Sequence, residues 1–243
     1  MEDILTVVWK ELKELWYARG ETRTRLLAYL PILFIFGIVM PLQEREAWAD
    51  GPLAGIFSIA LPFILAGGAV ADSFAGERER HTLETLLATR LSDRDIFLGK
   101  VLSCVIYSLT LVWGCMLLSL VSLNITRGSG PLFFYRRAIS SMIVVGALLS
   151  SVLTAAIGVF VSLRAPTARA AAQVFNVVTL ALFVGGSFLV QALPASAKDA
   201  LFQMLSTVNW NLVGIATALI VLVLDIVLLA LGIARFQRTR LIL

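Results

Sequence analysis

Few residues of this 243-residue chain have both the type and the setting to do chemistry. Asp225 is the one acid deep inside a long apolar run, and an intramembrane carboxylate is costly enough to mark a functional candidate. Two readings of it stand: an ion or proton site on a transport path, or a carboxylate satisfied by a polar neighbour such as Asn176, Thr179 or a residue of a second copy. Gln173 and Asn176, three residues apart and on one helical face, are candidates to line a polar path with it. His81 is the only histidine, and Cys104 and Cys115 are far from it in sequence, so no metal-ligand cluster is expected. The two cysteines lie in one apolar run, roughly 16 Å apart as a helix at ~1.5 Å per residue, too far to join as a disulfide. No paired acids and no Ser–His combination occur in the apolar runs, which removes an intramembrane enzyme. No GxxxxGK[ST] phosphate loop occurs either; Gly99-Lys100 is followed by Val101. Asn124-Ile125-Thr126 has the form of a glycosylation acceptor but hugs an apolar run and is discounted.

The elements that must position these residues are membrane spans. The chain is 59% hydrophobic and only 15% charged, where a soluble domain is about a quarter charged, so lipid is its main solvent. A helix needs about 20 apolar residues to cross a bilayer. Six stretches qualify, at 26–42, 53–71, 101–123, 138–163, 170–193 and 212–234. An even number puts both termini on one side. Fifteen of the 20 Lys and Arg residues fall on that side, including Lys10, Lys13, Arg78, Arg80, Arg164 and Arg235, which places both termini in the cytoplasm. The basic residues cluster beside the spans, so topology explains the positive balance and nucleic acid does not. Trp48 and Trp210 fall at outer span ends, where indoles favour the interface. Met1-Glu2-Asp3 lacks the basic start of a signal peptide.

Along the fourth span Gly146, Ser150, Thr154, Gly158 and Ser162 recur every four residues, a small-residue stripe that lets another helix approach closely. Pro62 frees the Ser58 carbonyl and predicts a kink in the second span. Residues 1–20 form a separate amphipathic helix. Ile4, Leu5, Val8, Leu12, Leu15 and Trp16 make its apolar face, and Glu2, Asp3, Lys10, Glu11, Lys13 and Glu14 fill the other. It either lies in the cytoplasmic interface or docks on protein, or does both with opposite edges.

The one long cytoplasmic loop, 73–97, follows spans one and two (26–71) and precedes spans three to six (101–234). Leu83, Leu86 and Leu87 share one helical face; Glu77, Arg80 and Glu84 share another at ion-pair spacing. Ser92 and Asp95 have the form of a capping box that starts a second helix running into the third span. The loop therefore reads as two short helices suited to docking a partner protein.

The run Gly76-Glu77-Arg78-Glu79-Arg80-His81-Thr82-Leu83-Glu84, then Leu86-Leu87-Ala88-Thr89, resembles the characteristic segment of ABC-2 type transporter permeases, nearest the sodium-efflux and drug-export-like branch. Residues 162–171, Ser162-Leu163-Arg164-Ala165-Pro166-Thr167-Ala168-Arg169-Ala170-Ala171, resemble that family's loop before the fifth span. Two positions depart from the pattern: His81 stands where Gly is common, and Arg90 where Pro is common. The resemblance implies an all-α membrane protein that forms one domain over 1–243: an interfacial helix, six spans, a coupling helix and a cytoplasmic tail at 235–243. It implies a coupling helix in which Glu77, Arg78, Glu79, Arg80, Thr82, Leu83, Glu84, Leu86 and Leu87 dock an ABC ATP-binding subunit. It also implies no catalytic residue, metal or cofactor on this chain, with ATP and Mg on the partner. A dimer with a second permease copy or paralogue, built on spans one and five, and a place in the cell (inner or plasma) membrane complete the expectation. The alternative is a secondary transporter driven by an ion gradient through Asp225.

Overall fold

The computed structural model describes residues 2–17, 22–82, 88–127, 132–185, 188, 191–198 and 210–235. Among the described residues the elements are helical throughout. Helix α1 (Glu2–Tyr17) lies first. Helix α2 (Thr22–Phe34) runs through a π-helical turn (Ile35–Val39) into α3 (Met40–Gln43), and α4 (Arg45–Ala49) follows. Helices α5 (Leu53–Leu65) and α6 (Gly67–Glu79) are nearly continuous. Next come the 35-residue α7 (Asp93–Arg127) and the short α8 (Arg137–Ser141). A second π-helical turn (Met142–Gly146) leads into α9 (Ala147–Arg164). Then α10 (Ala168–Leu180) enters a third π-helical turn (Ala181–Gly185), and α11 (Trp210–Arg235) ends the described chain.

Among the described residues five helices are long and apolar enough to cross a membrane: Leu53–Glu79, Asp93–Thr126, Arg137–Arg164, Ala168–Gly185 and Gly214–Ala234. They coincide with the second to sixth expected stretches. The first appears as a shorter apolar helix, Tyr29–Gln43. Its irregularity has a local cause. Pro41 has no N–H to offer the carbonyl four residues back, at Gly37, and Ser122 of α7 donates to that carbonyl instead, at 3.0 Å. The approach is close enough that a methyl group at Gly37 would stand 2.7 Å from Leu118 Cδ2.

The second span breaks at Ala66, one turn beyond Pro62, where Gly67-Gly68 follow and weaken the helix. Gly67 lets Phe175 of α10 approach, since a methyl group there would meet the Phe175 ring at 2.6 Å. The core forms around α7, against which α5, α6 and α9 pack through Leu61, Val70, Phe74, Phe97, Val112 and Val159. By contrast, α10 and α11 expose much of their apolar surface, with Val177, Leu219 and Ile220 each more than half bare.

Trp48 departs from the expectation of a lipid-facing indole. It is fully buried, stacks on Phe57 at 5.5 Å between centroids, and donates its indole N–H to Ser119 at 3.4 Å. It is a packing residue between α4, α5 and α7. The Trp210 side chain lies outside the described residues. Asn124 is also occupied: it donates to Leu120 and Phe133 and accepts from the Phe133 N–H, tying segment 132–135 to α7.

Candidate functional site

The charged run after the second span does not begin a loop. It is the last turn of α6, which extends from the apolar core to Glu79. Its ending is a Schellman cap: the Thr82 N–H bonds to the Glu77 carbonyl at 2.9 Å and the His81 N–H to the Arg78 carbonyl at 3.1 Å. The cap needs a left-handed residue, and His81 supplies it with φ 56°. That is the position where the resemblance expects glycine, which has no Cβ to strain.

Each charge in this turn is used by a different neighbour. Glu77 is buried, and its Oε1 accepts from Lys100 Nζ at 3.0 Å and Lys10 Nζ at 3.3 Å. Lys100, two turns into α7, has no exposed side chain. Its ammonium donates to Glu11 of α1 at 2.8 Å and to the Ser73 carbonyl at 2.8 Å, and stands 5.1 Å from the centre of the Phe74 ring. A bare buried ammonium would cost several kcal/mol; here two carboxylates, a carbonyl and a ring face compensate it. The carboxylates of Glu11, Glu14 and Glu77 lie within 4.8 Å of one another, as a cation site would require. Lys100 and Lys10 already fill that role. Burial alone would lower the Lys10 pKa, yet Glu77, Glu11 and Glu14 raise it above its ordinary value, so Lys10 keeps its charge at neutral pH.

Arg78 turns the other way and donates to the carbonyls of Leu163 and Ala165 at the C-terminus of α9. Glu79 accepts from the Ala168 N–H at 3.1 Å, at the N-terminus of α10, where Thr167 caps the Ala170 N–H. A cation at a helix C-terminus and an anion at a helix N-terminus both complement the helix dipoles. Arg80 reaches back two turns to Asp72 at 3.4 Å. Gly76 between them permits this, because a methyl group there would overlap Asp72 Oδ1. Ser162 completes the junction. Its hydroxyl accepts from the Phe74 and Ala75 N–H groups and donates to the Ala71 carbonyl, which fastens α9 to the backbone of α6.

These placements revise several sequence expectations. The spacing predicts Glu77–Arg80 pairing within one amphipathic helix, but Arg80 pairs with Asp72, and Glu77 is drawn inward by Lys100. Glu77 is therefore unavailable to a partner protein, and Arg78 and Glu79 serve the loop between α9 and α10. Thr82 and Arg80 are exposed; Leu83, Glu84, Leu86 and Leu87 lie outside the described residues. Glu11 sits on the docked face of α1 beside Val7 and Val8, whereas Leu5 and Trp9 are exposed on another face. Val7 packs on α7 where a methyl group at Gly99 would stand 2.6 Å from its Cγ1. The Ser92–Asp95 capping box is present at the start of α7, with the Ser92 hydroxyl 2.5 Å from Asp95 Oδ2 and the Asp95 N–H 3.2 Å from Ser92.

Within the fourth span, Ser150, Thr154, Gly158 and Ser162 are buried. A methyl group at Gly146 would meet Ile59 at 2.7 Å, and one at Gly158 would meet Val70 at 2.2 Å, so this stripe faces the second span. The polar-path candidates are not brought together. Gln173 and Asn176 are exposed on α10, while Asp225 is buried on α11. Neither carboxylate oxygen of Asp225 has a hydrogen-bond partner among the described residues, so Asn176 and Thr179 do not satisfy it.

Sequence reasoning missed Lys100 and Glu11. A lysine directly abutting an apolar stretch, and a glutamate at helical spacing from two valines, were the signals available.

A family model described as ABC-2 type transporter matches residues 2–223. No curated protein and no solved structure matches the chain.

Proposed function

We propose, because the chain belongs to the ABC-2 type transporter family, that this multi-pass membrane protein is the permease subunit of an exporter driven by ATP on a separate ATP-binding subunit. The family match over residues 2–223 carries the reading. The lack of a phosphate-binding loop in the sequence supports the second polypeptide, since a chain that cannot cradle ATP must receive the cycle's work through contact.

In this reading the apolar helix Tyr29–Gln43, with its flanking turns, is a sixth crossing element, and both termini are cytoplasmic. The contact with the ATPase is the segment after the Schellman cap. Thr82, Leu83, Glu84, Leu86 and Leu87 supply it, with Arg80 at its edge. The leucines would fill a cleft on the partner while the charges set approach and register. Glu77, Arg78 and Glu79 act from behind, holding the base of that segment. The bare faces of α10 and the 22–43 helix are where a second permease copy or paralogue would pack, and lipid covers the remainder. The exposed Leu5 and Trp9 edge of α1 rests in the cytoplasmic interface.

Co-purification tests the assembly. The chain alone should show no ATP hydrolysis, and co-expressed with its cognate ATP-binding-cassette subunit it should retain that subunit through purification. Robust hydrolysis by the isolated chain would sink the reading.

A second reading rests on one observation, the unpartnered buried carboxylate of Asp225. An ion-gradient-driven transporter would use that carboxylate as its coupling acid and would need no ATPase. Transport that survives removal of the ATPase and is abolished by Asp225→Asn would favour it.

A further inference from the structure

The Lys100 cluster joins three elements that are separate in sequence: α1 through Glu11, the end of the second span through Glu77 and Ser73, and the start of the third span through Lys100 itself. Glu77 lies five residues before Thr82, where the described chain leaves α6 for the segment that the proposed function assigns to docking. Anything that pulls on that segment pulls first on the carboxylate shared by Lys100 and Lys10.

We infer that Lys100 is a positioning residue for energy coupling: with Glu11 and Glu77 it latches α1, the end of α6 and the start of α7 into one cytoplasmic block, so that movement imposed on the 80–92 segment is passed to the third span. The inference rests on the reading of an ATP-driven permease.

Three observations support a latch over a merely tolerated ion pair. The ammonium is fully buried, and its acceptors come from two other elements rather than from its own helix. The ion pairs also sit within the face by which α1 packs on the core, flanked by the buried Val7 and Val8 and the partly buried Leu12 and Leu15, where they fix its register on α7. Helix α7 is also a long lever. From Lys100 to Ile125 is 25 residues of continuous helix, roughly 37 Å at ~1.5 Å per residue, which spans the bilayer.

Two measurements separate the latch from the coupling. In the full-length chain, amide hydrogen exchange reports whether α1 stays docked. Removing the buried ammonium leaves the buried carboxylates of Glu11 and Glu77 to share the half-exposed Lys10, at 3.7 and 3.3 Å, so Lys100→Met should cut protection across α1 at least about tenfold. The triple variant Lys100→Met, Glu11→Gln, Glu77→Gln leaves no stranded charge and should recover most of that protection.

In the complex with the cognate ATP-binding subunit, a single cysteine at Ile125, which is 74% exposed at the outer end of α7, reports arrival of the movement. Cys104 and Cys115 are buried and stay in place. ATP should change the maleimide labelling rate of Ile125→Cys. Lys100→Met should remove that change, and the neutral triple variant should restore it.

Protection of α1 unaltered in Lys100→Met would overturn the latch. Loss of protection with an intact ATP response, or a triple variant that redocks α1 without recovering the response, would overturn the coupling role. If the unsubstituted chain neither retains the ATPase nor responds to ATP, the permease reading falls, and the exchange measurement still decides whether the latch exists.

Discussion

At the scale of single residues, backbone and buried polar groups decide more than surface charge does. His81 caps α6 in the left-handed region at φ 56°, a conformation that costs a residue with a Cβ roughly 1 kcal/mol. His81→Gly should raise stability in detergent by about 0.5–1 kcal/mol, and His81→Val should lower it by about 1 kcal/mol or more, read as shifts in thermal unfolding. Ser162 makes the opposite case. Its hydroxyl answers two N–H groups and one carbonyl of α6, all buried. Ser162→Ala removes only one atom yet takes away three buried hydrogen bonds between α9 and α6, so a loss of about 1–3 kcal/mol is expected in the same measurement. Neither effect was visible in the sequence. His81 stood out there as a departure from a family pattern, and Ser162 as one member of a stripe of small residues. The hydrogen bond that gives Ser162 its weight is made with a helix about ninety positions away in the chain.

At the scale of elements, the helices were legible because hydropathy is local. The runs at 101–123 and 138–163 became the cores of helices Asp93–Thr126 and Arg137–Arg164. Their ends were not legible, because a charged turn reads as loop until a partner for its charges is known. Glu77 and Glu79 extended α6 only because Lys100 and the N-terminus of α10 were there to receive them. The packing between elements is equally specific. Gly158 abuts the β-branched Val70, which cannot swing aside, so Gly158→Ala should destabilise by about 1–3 kcal/mol. Gly114 on α7 has open space around it, and Gly114→Ala should be neutral or stabilising by up to about 1 kcal/mol. Parallel unfolding curves of the two variants provide the check. The docking of α1 also carries a pH signature. Because the folded protein holds the Lys10 pKa above 10.5, its contribution is fully present below that value and is lost as pH rises through the higher folded one. Protection of α1 should therefore stay flat across neutral pH and weaken only in the alkaline range.

At the scale of the whole molecule, the proposed contact with an ATPase has to use residues that the fold leaves free. Glu77 is consumed inside the chain, and Arg78 and Glu79 hold the loop between α9 and α10, so reversing these charges attacks the fold rather than an interface. Glu77→Lys would place a third cation against Lys100 and Lys10, with Glu11 and Glu14 to balance them. It should lower the yield of folded chain before any partner is added, and restoring ionic strength should not rescue it, because buried pairs are poorly screened. The docking segment should behave in the reverse manner. Leu83→Ala with Leu87→Ala changes a segment that the proposed topology puts outside the bilayer, so the chain should fold and insert normally. If those leucines fill a cleft on the ATPase, each contributes ~2 kcal/mol of apolar burial, and losing two weakens the complex by several kcal/mol, enough to lose the subunit on a column. Glu84→Lys belongs at the rim, where charge governs association rate more than affinity, so its defect should be mild and should change with salt. The comparison is therefore between folded yield and partner retention, measured on the same preparations. A Glu77→Lys chain that folds well but sheds the ATPase, together with a leucine double variant that keeps it, would place the interface on the charged turn and return Glu77 to the partner's side.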